Sequence, residues 1–137
     1  MKHRHRARRL TLQGLCCLDV QDAHVQDLVE EFVSDGRVDR EVAGDALALL
    51  RGAFEGRAES DALLRRHTRH WDLERLALVD RNILRLAAYE MSAAGTPHKV
   101  AISEAMHLAQ EFSTAESPRF VNGILDAVHK ELKEGKE

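Results

Sequence analysis

The sequence predicts an all-α protein, a bundle of about seven helices in two small subdomains. Three observations carry that prediction. Apolar residues recur at i, i+3 and i+4 through most of the 137 residues. Two Pro and eight Gly are few for a chain built on β-turns. No segment reads as a convincing strand. Apolar residues make up 44% and charged residues 31%, too apolar for a disordered chain and too charged for membrane spans. The length suits one domain with one core's worth of sequence.

The first helix is expected over residues 6–20, with Leu12, Leu15 and Cys16 on one face and Leu18 beside them. After a polar break at 21–24, Val25, Leu28, Val29, Phe32 and Val33 give a second helix, closed by Gly36 as a left-handed cap. A third begins with Asp39 as N-cap and is marked by Val42, Ala43, Ala46, Leu47, Leu49, Leu50 and Phe54. Residues 60–70 read as a shorter, more polar helix held by Leu63 and Leu64. A tight connection follows, with Trp71 plugging the core where two sub-bundles meet, about 1–70 and about 71–137.

The stretch 76–94 is the most apolar and therefore central: Leu76, Val79, Ile83 and Leu86 form one row, and Leu84, Ala87 and Met91 another. Asp80, Arg81 and Arg85 fall on its one polar strip, read as a solvated face or as the rim of a protein contact. Gly95-Thr96-Pro97 is the clearest turn. Residues 100–112 are helical again. Ser117 as N-cap and Pro118 at the first helical position open the last helix, whose apolar face runs from Phe120 to Leu132.

Charge is unevenly spread. Lys2, Arg4, Arg6, Arg8 and Arg9 precede the first acid, Asp19, so the first eighteen residues carry +5. The other 15 bases face 23 acids, a net of −8 within an overall −3. A basic arm on an acidic body points to a polyanion at one end. Cations at the positive end of a helix dipole are mildly unfavourable, so phosphate binding is a natural reason for them. Arg119-Phe120, beside a later helix start, has the chemistry to hold a phosphate and stack an unstacked base; equally, Phe120 is simply core. With 4% aromatic residues, a base-stacking sheet is excluded.

Cys16 and Cys17 are adjacent and close no loop, which suits a cytoplasmic protein without a zinc site. No apolar run approaches the ~20 residues of a membrane span, and the N-terminus does not read as a secretory signal. Glu104-x-x-His107 and, more weakly, Asp126-x-x-His129 match the spacing of di-iron carboxylate bundles, with Glu90 and Glu30 as further carboxylates. His67 and His70 make a pair with no third ligand evident. No nucleophile elbow, phosphate loop or HExxH is present, so no enzyme and no cofactor is expected.

Several motifs, in order, resemble the NusB family. They are Arg6-Ala7-Arg8 with Gln13-Gly14-Leu15, the run from Val79 to Met91, the run from Pro97 to Ala105, and Arg119-Phe120-Val121-Asn122-Gly123-Ile124-Leu125-Asp126. The resemblance implies an all-helical fold of two subdomains and a non-enzymatic transcription antitermination factor. It implies binding of single-stranded boxA RNA together with NusE, a small-subunit ribosomal protein, in a complex with other Nus factors on RNA polymerase. Family members are monomers or dimers, so a homodimer is open. By the same resemblance Lys2, Arg4, Arg6, Arg8, Arg119 and Phe120 are RNA contacts, and Asp80 and Arg81 lie on the NusE side. The chain departs from the family pattern at His5, at Gly14 (usually Ala), at Cys16 (usually Tyr), at Ser103 (often Asn) and at Glu116 (often Asp). The alternatives are a NusB-like targeting module of an RNA methyltransferase and a metal-carboxylate oxidase.

Overall fold

A computed structural model describes residues 2–20, Asp27, Glu31, 39–68 and 73–135, the side chain of Lys2 excepted. Among these residues there are six α-helices, one 3-10 turn and no strand. The helices are α1 (Lys2–Val20), α2 (Arg40–Glu55), α3 (Arg57–Arg65), α4 (Leu78–Ser92), α5 (His98–Phe112) and α6 (Ser117–Gly135); the turn is Leu73–Arg75. Of the expected helix over 25–33 only Asp27 and Glu31 are described, both helical, and its Gly36 cap and the plug at Trp71 lie outside the described residues. No described helix is long and apolar enough to cross a membrane.

The chain divides into two compact units, Met1–Glu55 and Gly56–Glu137. In the first, α1 packs on α2. Ala7, Val42 and Ala46 form a buried cluster with Leu10 against it. Thr11 sits at the same contact, its hydroxyl 2.9 Å from its own Ala7 carbonyl and 3.2 Å from the Ala46 carbonyl. One hydroxyl proton serves both acceptors. Further along, Gly14 faces Leu50 so closely that a Cβ there would stand 2.8 Å from Leu50 Cδ2. The helix begins four residues before the sequence pattern implies. Its first turn has no apolar periodicity, yet Lys2 and Arg4 are good helix formers.

In the second unit α4 is central, packing on α3, α5 and α6. Ile83, Leu84, Leu86, Ala87 and Ala88 are buried on it. The α4–α5 turn uses Gly95 at φ 74°, a left-handed conformation that glycine takes without strain. Thr96 closes the turn: its N–H donates to the Glu90 carbonyl at 3.0 Å and its hydroxyl to Glu90 Oε1 at 3.1 Å.

The division falls after Glu55, not near residue 70 as the sequence reading has it. Polar ties assign α3 to the second unit. Asp61 on α3 receives both Arg85 Nε at 2.7 Å and Arg85 Nη2 at 3.0 Å from α4. Arg66, just past α3, grips Glu131 of α6 at 3.0 Å and 2.5 Å. The Asp61–Arg85 pair is bidentate, with 12% and 14% of its side chains exposed. It cannot be separated cheaply, since removing one partner leaves a desolvated charge.

Candidate nucleic-acid interface

The basic arm is the first two turns of α1. No acid lies in its first turn, so the positive end of the helix dipole is uncompensated from within the helix. Arg4 and Arg6 are exposed there. His3 is tied down: its Nε2 lies 2.6 Å from Asp45 Oδ2 on α2, which fixes the start of the arm to the unit that carries it. Asp45 has no recognisable motif, and only the fold reveals this role.

Arg8 requires a correction. The resemblance makes it an RNA contact, but it is only 4% exposed. Positions 7, 8, 11, 12, 14 and 15 make up the buried stripe of α1, and Arg8 falls inside it. The side chain of Lys2 lies outside the described residues.

Arg119 and Phe120 occupy the first turn of α6. Arg119 is exposed and Phe120 half-buried. Val121, Ile124, Leu125 and Val128 hold the opposite side of the helix in the core. Asn122, Gly123 and Asp126 continue the exposed strip that begins at Arg119.

Asp80 and Arg81, read from sequence as part of a solvated strip or a partner rim, are both engaged within the chain. Ser113 Oγ donates to Asp80 Oδ1 at 2.6 Å, and Ser117 Oγ to Asp80 Oδ2 at 3.1 Å. Each serine has one proton, so Thr114, 2.9 Å from Ser117 Oγ, is the donor in that further hydrogen bond. Ser117 thus tethers the start of α6 to α4. Arg81 Nη1 donates to the carbonyls of Glu74 at 3.0 Å and Leu76 at 3.3 Å, securing the 3-10 turn. Arg85 is bound to Asp61, and the polar strip of α4 is therefore half-buried and bonded, not solvated.

Among the described residues, several members of the carboxylate-metal pattern are engaged elsewhere. Glu90 is buried and accepts from Thr96. Asp126 pairs with Lys130 at 3.5 Å, and the His129 ring stacks on His98 with centroids 3.6 Å apart. His67 Nε2 lies 2.8 Å from Glu131 Oε1. Glu131 is held down to about 2, first by its hydrogen bonds from Arg66 and then by His67, against the opposing effect of burial. Glu30 and His70 lie outside the described residues.

Comparison with known proteins supplies the family. The profile of the NusB family matches residues 5–130. A protein of Solibacter usitatus named transcription antitermination protein NusB is 45% identical over 136 residues, covering 98% of this chain and 93% of that one. T. maritima NusB superposes with a TM-score of 0.84 at 37% identity, covering 93% of this chain and 91% of the other. A crystal structure of antitermination factors NusB and NusE in complex with double-stranded RNA has a TM-score of 0.86 at 24% identity, covering 96% and 98%, and so shares the fold.

Proposed function

This chain is a member of the NusB family, and from that premise we propose that it acts as an antitermination factor binding single-stranded boxA RNA together with NusE. The observation that carries the RNA part is the acid-free first turn of α1 with Arg4 and Arg6 exposed on it. Two guanidinium groups at the positive end of a helix make a phosphate site to which side chains and dipole both contribute. Arg119 and Phe120 form a second edge, one group for phosphate and one for a base. Arg8 enters as a buried residue that supports α1, not as a phosphate ligand.

NusE docks on the second unit at the start of α4, where Asp80 and Arg81 remain half-exposed beside their internal bonds. The pair acts in the cytoplasm with other Nus factors on RNA polymerase, without catalysis. No observation favours a methyltransferase module, and the Solibacter relative is matched over nearly its whole length.

The test is the salt dependence of RNA binding. Replacing Arg4 and Arg6 by Ala lowers the log–log slope of affinity against salt by ~0.7 for each single-strand phosphate that the arm no longer neutralises. An unchanged slope removes the arm from the RNA site.

A further inference from the structure

Gly123 lies in the interior of α6 and is exposed. A Cβ built there meets nothing within 4 Å. Glycine at an exposed helical position is less favourable than alanine by about five-fold in the folding equilibrium. No turn, close approach or positive φ calls for it at this position. Its position is informative. Arg119 is at i−4 and Phe120 at i−3, its two neighbours one turn toward the N-terminus. Helical side chains lean toward the N-terminus, so a side chain at 123 would lie over that turn. Glycine leaves it open.

We propose that Gly123 keeps the Arg119–Phe120 surface uncovered, so that one unstacked nucleotide of single-stranded RNA seats there with its ribose–phosphate passing over the glycine. The nucleotide's base lies on the half-buried Phe120 ring and its phosphate reaches the Arg119 guanidinium. The proposal rests on the reading of Arg119 and Phe120 as an RNA edge. Gly44 on α2 is an internal control. It is also exposed, and a Cβ there also meets open space, but its i−3 neighbour is Glu41, not an aromatic ring.

The experiment uses the full chain and a labelled boxA-like RNA, with affinity by anisotropy and stability by thermal melts. Gly123→Ala and Gly44→Ala each raise the melting temperature by about 3–6 °C. Gly123→Ala weakens RNA binding, Gly123→Gln weakens it further by about ten-fold, and Gly44→Ala leaves it unchanged. A gain in stability joined to a loss of binding is a pattern that a purely structural glycine does not give. If Gly123→Gln binds RNA like the parent while Arg119→Ala is weakened, the glycine proposal is overturned and the RNA edge stands. If neither variant is weakened, the RNA edge falls and the proposal with it. An equal loss in Gly44→Ala assigns the effect to stabilisation and also overturns the proposal.

Discussion

Gly14 offers a prediction whose sign is decided by one contact. By helix propensity alone, Gly14→Ala stabilises α1 by about 1 kcal/mol. The new Cβ, however, stands 2.8 Å from Leu50 Cδ2 and 3.1 Å from Cδ1. Ordinary contact lies near 3.5–4.0 Å, so Leu50 must retreat by roughly 0.7 Å. Leu50 is only 1% exposed, so that retreat is into packed core. Overpacking of this kind costs about 1–3 kcal/mol. The expected net effect is a loss of about 1 kcal/mol, read by urea denaturation with the midpoint shifted and the slope unchanged. The cycle with Leu50→Ala isolates the cause. Leu50→Ala alone costs about 2–5 kcal/mol, but in that background the clash is gone and Gly14→Ala recovers its ~1 kcal/mol gain. The coupling between the two sites is therefore about 2 kcal/mol. A stabilising Gly14→Ala in the parent, with no coupling to Leu50, would refute the packing described for α1 on α2.

Other predictions follow from the polar ties. Asp80→Ala removes two hydrogen bonds to a half-buried carboxylate and costs about 2 kcal/mol; Ser113→Ala with Ser117→Ala reproduces most of that loss. Comparing NusE affinities of those variants separates roles: an excess loss in Asp80→Ala marks direct engagement of NusE, and equal losses mark a tether only. Glu131 is lowered to about 2 from an ordinary 4.5. Its contribution is thus complete above about pH 4.5 and vanishes as pH falls toward 2. The stability gap between the parent and Glu131→Gln, measured by melts across that range, should narrow in acid; a constant gap would contradict the Arg66 pairing. Phe120→Ala should weaken RNA binding by ~1–3 kcal/mol, whereas a lower melting temperature with affinity intact would make the ring core alone.

The helices with strong periodicity and clear punctuation were legible in the sequence. The α4–α5 turn stands where Gly95-Thr96-Pro97 announced it, and α6 starts at Ser117 with Pro118 next. The early start of α1 was not legible, because a turn of charged residues has helix propensity but no apolar stripe to reveal it. Nor was the boundary between units. Leu63 and Leu64 show only that residues 60–70 bury a face; Asp61–Arg85 and Arg66–Glu131 decide what that face packs on, and those pairs span 24 and 65 positions. The same limit governed Arg8 and Asp80. Charge alone suggested exposure for both, whereas helical phase buries Arg8, and Ser113 of the α5–α6 connection and Ser117 of α6 occupy Asp80. Family motifs located the two basic regions, and side-chain geometry sorted the exposed members from the structural ones.

The most direct test of the account is fluorescence anisotropy of a labelled boxA-like RNA against a scrambled strand of equal length, with and without NusE. The account predicts tighter binding of boxA and a preference that sharpens when NusE is added. Equal affinity for both strands in both conditions would contradict it.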